Sequence, residues 1–302
     1  MMNILKFAAI DIGSNAARLL LTNVIEDGLS VVFRKSLLVR MPLRLGEDAF
    51  SIGYISQPRA QKLLKIMIAY KNLMEVEEVV AFRVCATSAM RESSNASELV
   101  DMVREKTGIQ IEVIDGKKEA EIIYANGIVE TLNGTSPYIY VDVGGGSTEI
   151  TLFDQGKIQT SFSFDIGTIR MLKGKVDKSN FEEIKQWIKS LNIKKQKPKI
   201  IGSGGNINKL YKLAMKTNGE VLTYDEIKEL YKFIGYYSVE ERIKSLGLNP
   251  DRADVIIPAT KIYLKVMKWS GANEVIVPTI GISDGIVRTL YYEYKNQLTM
   301  KQ

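Results

Sequence analysis

The stretch that decides the fold is YVDVGGGSTEI, residues 140–150, and a degenerate copy, AAIDIGSN, stands at residues 8–15. Each copy is an apolar run that ends in an aspartate, Asp142 or Asp11, followed by a β-branched residue and then by glycine and serine. A second strand-like run follows each copy, and small turn residues between two such runs indicate a β-hairpin. The two copies therefore predict two halves of similar fold that face each other.

Outside these hairpins, strand and helix patterns alternate, which predicts mixed sheets flanked by helices. The chain has 302 residues, which fits two domains of ordinary size. We predict an N-terminal α/β domain over residues 1–128 and a C-terminal α/β domain over residues 129–302. The turn-rich segment 127–137 joins them, and the last helix, near residues 284–296, is a candidate for packing back on the first domain.

Two residue types limit the chemistry. The chain has no histidine, which excludes histidine-based acid–base catalysis, phosphohistidine chemistry and nearly every zinc site. Any metal must be held by oxygen, which favours Mg²⁺ or Mn²⁺. The single cysteine, Cys85, lies in an apolar run and is expected to be a buried small hydrophobic residue rather than a nucleophile.

Charge and hydropathy narrow the list of partners. The formal net charge of +6 suits either a polyanionic partner or a solvated lysine-rich surface. The densest basic run, residues 194–199, has no interleaved aromatics and is a weak nucleic-acid signal, so no nucleic-acid partner is expected. No stretch approaches about 20 apolar residues, and no signal-peptide pattern is present, so we expect a cytoplasmic protein without a membrane partner.

Glycine-rich turns supply candidate phosphate sites, because glycine lets consecutive N–H groups point at one spot. The candidates are Gly13, Ser14 and Asn15 in the first hairpin, Gly144, Gly145, Gly146 and Ser147 in the second, and Gly204 and Gly205 between a strand and a helix. A carboxylate beside a bound phosphate implies a cation between them, since two anions otherwise repel. Asp11 and Asp142 stand in that position.

Three further groups are candidates. Thr87, Ser88 and Arg91 follow a predicted strand, where α/β folds place ligands, and an arginine binds phosphate bidentately. Glu119 stands at the start of a predicted helix, and Glu149 stands two residues past Ser147. From the residues alone, each of these glutamates is one acidic residue among many.

The chain resembles the exopolyphosphatase/guanosine pentaphosphate phosphohydrolase (Ppx/GppA) family of the actin-like ATPase and sugar kinase superfamily. The matching stretches occur in the family order and cover nearly the whole chain. They are AAIDIGSNAARLLL, ATSAMRESSNA, IDGKKEAEII, YVDVGGGSTEI, IGSGGNINKL, DRADVIIPA and GISDGIVR. The chain departs from the family pattern at Lys118, where an acidic residue is usual, and at Thr260, where glycine is common.

The resemblance implies an α/β fold of two ribonuclease H-like (actin-like ATPase/sugar kinase superfamily) domains with an interdomain cleft. It implies that Glu119 is the catalytic base and that Asp142 and Glu149 are the metal-linked carboxylates, with Asp11 as a further metal candidate. It gives the Gly/Ser turns the role of phosphate loops. The longer family members carry a C-terminal domain with a histidine–aspartate metal motif, so the chain is expected to be the short, two-domain form.

The function expected is an exopolyphosphatase that releases terminal orthophosphate from inorganic polyphosphate with Mg²⁺ or Mn²⁺. Guanosine pentaphosphate is the alternative substrate. A superfamily ATPase or kinase and a non-catalytic sensor that binds polyphosphate or an alarmone are further alternatives, and Lys118 keeps the sensor open. The oligomeric state is also open, with a homodimer as one form.

Overall fold

A computed structural model describes residues 2–28, 30–127, 137–278 and 280–300. The chain divides into two compact units, Met1–Asn126 with Ile282–Gln302, and Gly127–Gly281. The predicted boundary between residues 128 and 129 lies outside the described residues. No helix in the described ranges is both long enough and apolar enough to cross a membrane.

The first unit is built on a mixed sheet in the order β3-β2-β1-β4-β5. Its strands are β1 (Asn3–Ile12), β2 (Ala16–Asp27), β3 (Ser30–Pro42), β4 (Ala81–Ala86) and β5 (Ile111–Val113). The first three strands form an antiparallel meander, and β4 and β5 are parallel to β1. Cys85 lies in β4 with 1% of its surface exposed, which confirms it as a buried residue.

Six described helices complete the first unit. They are α1 (Leu45–Ile52), α2 (Gln57–Val76), α3 (Ser88–Arg91), α4 (Ala96–Thr107), α5 (Gly116–Tyr124) and, from the end of the chain, α13 (Ile282–Thr299). The hydroxyl of Tyr70 in α2 donates to the Ala17 carbonyl at 3.0 Å, which fixes this helix on the sheet.

The second unit repeats the plan with a mixed sheet in the order β10-β11-β9-β6-β7-β8. Its strands are β6 (Tyr138–Val143), β7 (Thr148–Asp154), β8 (Lys157–Phe164), β9 (Lys199–Ser203), β10 (Val221–Thr223) and β11 (Glu274–Ile276). Again a three-stranded antiparallel meander comes first, and the next strand, β9, pairs in parallel with β6. The hairpins predicted from the repeated sequence pattern are thus confirmed in both units.

Helices cover the second sheet as well. They are α6 (Thr168–Leu172), α7 (Lys178–Ser190), α8 (Gly205–Leu213), α9 (Tyr224–Gly235), α10 (Val239–Lys244), α11 (Pro250–Ala253) and α12 (Ile256–Ser270), with a short 3₁₀ helix at Lys194–Gln196. When the strands are counted along each unit, the order is 3-2-1-4-5 in the first unit and 3-2-1-4-6-5 in the second, so the order 3-2-1-4 is shared. The predicted α/β class with two ribonuclease H-like halves is confirmed.

Several elements differ from the sequence prediction. The long strand β3 and the helices α1, α3 and α6 were not predicted. β3 lies at the edge of its sheet, where alternately exposed residues give a weak apolar pattern. Helix α11 ends at Ala253 and α12 begins at Ile256, and Pro258 lies in the first turn of α12, where proline is tolerated.

The last helix, α13, is part of the first unit although the predicted second domain ran to residue 302. The Tyr291 ring meets the Phe7 ring edge-on, with centroids 5.7 Å apart, and its hydroxyl donates to Glu26 at 2.7 Å. Arg83 in β4 binds Glu293 at 2.6 Å. Apolar packing and paired charges on strands of the first sheet therefore hold this helix.

The contact between α13 and α5 depends on Gly285, because a Cβ there would overlap the Ile122 carbonyl oxygen. We expect Gly285→Ala to lower the free energy of unfolding by about 1–3 kcal/mol through overpacking. Gly235, also helical, has nothing within 4 Å of its Cβ position and provides the control. Urea unfolding of both variants checks this; an equal effect at the two positions would contradict the close approach.

Candidate active site

In the first unit, two predicted phosphate-binding groups meet at the carboxyl ends of β1 and β4. Ser14 Oγ lies 2.9 Å from Ser88 Oγ, and both hydroxyls are buried. The Thr87 N–H donates to the Ile12 carbonyl at 3.1 Å, which joins the end of β4 to the end of β1. Ligands bind at this edge in α/β folds. The predicted residues Gly13–Asn15 and Thr87–Ser88 therefore share one edge of the sheet.

Glu119 lies in the first turn of α5 with 7% of its surface exposed. The Asp115 side chain caps this helix by accepting a hydrogen bond from the Lys118 N–H at 2.8 Å. Arg91 Nη1 lies 3.5 Å from Glu119 Oε1 and also donates to the Ile114 carbonyl at 2.7 Å. A helix N-terminus and a guanidinium both stabilise negative charge, so this carboxylate is held in place without full exposure to water.

The departure at Lys118 does not place an ammonium on Glu119. Lys118 Nζ lies 3.5 Å from Glu121 Oε2, and both of these side chains are about half exposed. Thr260, the other departure, is fully buried, and its hydroxyl donates to the Ile256 carbonyl at 2.7 Å inside α12. Both residues thus have a local structural role.

The second unit places two carboxylates side by side. Asp142 at the end of β6 is directly opposite Glu149 on β7, so both side chains point to the same face of the sheet. Ser203 on β9 and Ser163 on β8 extend this row at either end. The Ser163 hydroxyl donates to Glu149 Oε1 at 2.9 Å. Sequence reasoning missed both serines, because only strand register identifies them.

A hydrogen bond from the Gly144 N–H to the Ser147 carbonyl, 3.0 Å long, holds the turn Gly144–Ser147 together. The carbonyls of Gly144, Gly145 and Gly146 accept hydrogen bonds from α6, the last of them from Arg170 Nε at 2.7 Å. A Cβ at Gly167 would overlap the Gly145 carbonyl. The protein therefore engages the carbonyl oxygens of this turn. An anion at the turn would be bound through N–H donors, as phosphate requires.

A third glycine turn connects β9 to α8 beside the carboxylates. Gly204 has φ of 99°, a conformation that favours glycine, and a Cβ there would lie 2.9 Å from Asp142 Oδ1. Arg252 Nη1 donates to the Gly205 carbonyl at 3.3 Å, so a guanidinium lies against the start of α8. The stretch DRADVIIPA, which contains Arg252, resembles the family sequence, but the sequence does not predict that Arg252 lies beside this turn.

In the first unit, the residue that corresponds to Glu149 is an arginine, Arg18. Asp11 is opposite Arg18 across the β1–β2 hairpin, at the same spacing of seven residues that separates Asp142 from Glu149. Arg18 Nη1 binds Asp11 at 2.9 Å. Burial raises the pKa of the Asp11 carboxyl, and the Arg18 guanidinium opposes that rise without cancelling it. Asp11 thus has a cation from the protein itself.

The donors at Asp142 and Glu149 fit Mg²⁺ or Mn²⁺. Among the described residues, no group of three or more His, Cys, Asp or Glu side chains is arranged to hold a metal. Mg²⁺ does not need such a group, since it commonly binds one or two carboxylates and fills its other positions with water and substrate phosphate. The two adjacent carboxylates match that donor set.

The contrast between the two hairpins predicts opposite responses to mutation. Arg18→Met leaves the carboxylate of Asp11 buried without its cation, and we expect a loss of about 2–3 kcal/mol of unfolding free energy. Because Arg18 lowers the pKa of the buried Asp11 carboxyl, its removal raises that pKa further, so this loss is greatest at neutral pH and shrinks as acid protonates the carboxyl in both proteins. Urea unfolding at pH 5 and pH 8 measures it.

Glu149→Gln, at the equivalent position of the second hairpin, is the comparison for that experiment. It removes a like charge from beside Asp142, so in the presence of chelator it should leave stability unchanged or raise it. A loss for Glu149→Gln as large as that for Arg18→Met, or a loss for Arg18→Met that ignores pH, would contradict the assignment.

Comparisons with known proteins identify relatives of this chain. A bifunctional 3-dehydroquinate synthase/phosphatase of Fusobacterium nucleatum subsp. nucleatum is 30% identical over 300 residues, covering 89% of this chain and 44% of that protein. The chain thus spans less than half of this curated relative. Two solved structures of Aquifex aeolicus Ppx/GppA proteins are 26% and 28% identical, with TM-scores of 0.75 and 0.76.

These two structures cover 97% and 95% of this chain, which in turn covers 99% and 100% of them. An exopolyphosphatase from Cytophaga hutchinsonii shares the fold, with a TM-score of 0.81 at 23% identity over 96% of this chain and 98% of that one. The sequence model of the Ppx/GppA phosphatase family matches residues 24–292. The chain belongs to the Ppx/GppA phosphatase family.

Proposed function

We propose that the protein is an exopolyphosphatase, which hydrolyses the terminal phosphoanhydride bond of inorganic polyphosphate and releases orthophosphate. The observation that carries this proposal is the pair of carboxylates, Asp142 and Glu149, beside a glycine turn whose carbonyls are engaged within the protein. Such a site suits a phosphate chain with a divalent cation, and the chain belongs to a phosphatase family.

Each group has its own proposed role. N–H donors of the Gly144–Ser147 and Gly204–Gly205 turns bind phosphoryl oxygens, and Asp142 and Glu149 hold Mg²⁺ or Mn²⁺. When bound, the metal neutralises negative charge on those oxygens, which is a large share of phosphoryl-transfer catalysis. Glu119 accepts the proton of the attacking water, a contribution that is typically about 10²–10⁴-fold.

Arg91 supports that role of Glu119. Its guanidinium lies 3.5 Å from the carboxylate and is anchored on the Ile114 carbonyl. It fixes the direction in which the base points while its other nitrogen atoms keep donors for phosphate. Because the Lys118 ammonium pairs with Glu121, it does not draw the Glu119 carboxylate away from Arg91. This arrangement favours a catalyst over a sensor that binds without turnover.

The proposed binding groups favour polyphosphate over guanosine pentaphosphate as the substrate. Backbone N–H donors, Arg91 and a cation all recognise phosphate oxygens. Within the residues that the structure describes, we identify no base-binding feature beside these groups. A repeated phosphate chain needs none.

The central test is turnover by Glu119→Gln, which keeps the shape of the side chain but removes its basicity. We expect the wild type to release orthophosphate from polyphosphate with a higher kcat/KM than from guanosine pentaphosphate. We expect Glu119→Gln to lose at least about 10²-fold in kcat with unchanged folding. Glu121→Gln, an exposed glutamate on the same helix, is the control and should retain full activity.

Each other result rejects part of the proposal. A higher kcat/KM for guanosine pentaphosphate would make the nucleotide the substrate. Binding of polyphosphate without release of phosphate would favour the sensor, and hydrolysis or transfer that requires ATP would favour the superfamily ATPase or kinase. More than about a tenth of wild-type kcat in Glu119→Gln would remove Glu119 as the base.

The metal assignment has its own test. Mn²⁺ binding to the substrate-free protein, followed by electron paramagnetic resonance, should weaken at least about tenfold in Asp142→Asn. Chelator should stop turnover, and Mg²⁺ or Mn²⁺ should restore it. Asp11→Asn decides whether Asp11 also contributes to the metal site, as the sequence predicted, or serves only Arg18. Unchanged Mn²⁺ affinity in Asp142→Asn would contradict the proposed metal site.

A further inference from the structure

A lysine-rich groove of about 1590 Å³ lies in the second unit between α7 and α12. Six of its lysines come from these two helices: Lys178, Lys185 and Lys189 from α7, and Lys261, Lys265 and Lys268 from α12. Positions three, four or seven residues apart share one face of a helix, so each helix turns a basic face towards the other. We call this surface the lysine groove.

The 3₁₀ helix closes one end of the lysine groove with Lys194 and Lys195. A Cβ on Gly271, just after α12, would lie 2.8 Å from Lys194 Cγ, so the 3₁₀ helix packs directly against the end of α12. The basic run around residue 194, a weak signal by itself in the sequence, thus becomes part of a larger surface that the fold assembles.

The charge of the lysine groove is concentrated. It has eight lysines and two acidic residues, an excess of six positive charges, which equals the formal net charge of the whole chain. The remaining 33 basic and 33 acidic residues therefore balance. Of the eight lysines, Lys185 pairs with Glu182 at 2.7 Å, and within the described part of the chain the other seven have no carboxylate within ion-pair distance.

The lysines also lie close enough to repel one another. Burial first, and then the charges of Lys261, Lys268 and Lys185, lower the pKa of Lys265. Lys265 Nζ lies over the Phe181 ring, 4.7 Å from its centroid, and 5.2 Å from the centroid of the Trp269 ring. Like charges held together in this way are relieved by a bound anion with several negative groups.

We propose that the lysine groove is an anchoring site for the distal part of an inorganic polyphosphate chain. The lysine groove is separate from the catalytic turns. The 3₁₀ helix precedes the first residue of β9, whereas Ser203, which pairs with Asp142, is the last residue of that strand. Five strand residues span about 15 Å. The choice of ligand rests on the proposed polyphosphate substrate. The binding surface itself rests on the lysines.

The composition of the lysine groove favours polyphosphate over a nucleic acid. Single-stranded nucleic acids bind through aromatic platforms on which bases stack. Here the two aromatic rings, Phe181 and Trp269, are partly buried and carry lysine ammoniums over their faces. Lysine offers a point charge on a flexible stem, which suits a flexible chain of repeated phosphates without fixed geometry.

Binding is tested in the full chain with Glu119→Gln present, so that the ligand is not consumed. The groove variant is Lys261→Gln with Lys265→Gln and Lys268→Gln. The control carries Lys65→Gln, Lys106→Gln and Lys228→Gln, three exposed lysines on other helices. For long-chain polyphosphate we expect the groove variant to raise Kd on the order of tenfold, and to reduce the slope of log K against log salt by about 2.

Activity of the same triple substitutions without Glu119→Gln gives a second readout. The groove variant should raise KM for long-chain polyphosphate and leave kcat and the hydrolysis of triphosphate unchanged, because triphosphate is too short to reach both sites. The control variant should behave as wild type. Thermal unfolding of all variants shows whether each is folded, and the triphosphate rate verifies that the catalytic turns are intact.

The outcomes are distinct. Equal losses in the groove and control variants would show general charge attraction and overturn the proposal. Equal affinity of single-stranded RNA of matched charge, lost equally in the groove variant, would overturn polyphosphate as the ligand. Groove-dependent binding of polyphosphate by a protein that does not hydrolyse it would reject the proposed enzymatic function and uphold the anchoring site.

Discussion

The pairing of β6 with β7 places two carboxylates, Asp142 and Glu149, directly opposite each other, and the organisation of the site depends on that contact. Like charges across a strand pair are unfavourable. Ser163 reduces the cost by donating to Glu149, and a bound cation would offset the rest. In the proposed site, N–H groups of the neighbouring turn bind the anion. In the proposed site, a divalent cation and a phosphate group would complete the charge balance.

Close approach of the backbone maintains this arrangement. Gly167 allows α6 to touch the turn at Gly145, and Gly204 allows the next turn to come close to Asp142. A side chain at either position would displace groups that the site needs. The two glycines therefore allow different close contacts, one with a backbone carbonyl and the other with a carboxylate. Gly167 lets α6 contact the Gly144–Ser147 turn, whereas Gly204 leaves room for the Asp142 carboxylate.

Local sequence was sufficient to predict the hairpins and the mixed character of both sheets. The apolar strands, the aspartates and the glycine turns are contiguous motifs, so a single stretch such as residues 140–150 contains the whole signal. The assignment of Glu119 came from the resemblance, because an acidic residue at the start of a helix is common. The structure adds its burial and its contact with Arg91.

Contacts between distant segments could not be predicted in this way. Ser14 and Ser88 meet because β1 and β4 are neighbours in the sheet, and Arg252 reaches Gly205 across 47 residues. The lysine groove is a similar case, since its two helices are about 80 residues apart in sequence and each has an ordinary basic face. Edge strand β3 was not predicted because apolar residues such as Val32 and Leu38 occupy exposed positions, so its sequence does not alternate between apolar and polar residues.

The duplicated hairpin shows why a repeated motif does not imply repeated chemistry. Both copies keep an aspartate at the end of the first strand, and both place a charged residue seven positions later, on the same face. In the first unit that residue is Arg18, and the protein supplies the cation for its own buried carboxylate. In the second unit it is Glu149, and the negative charge is doubled. A second carboxylate opposite the first strengthens the attraction for a cation, whereas an arginine in that position weakens it. Within these two hairpins, the residue opposite the aspartate is therefore the feature that separates a structural ion pair from a proposed metal site.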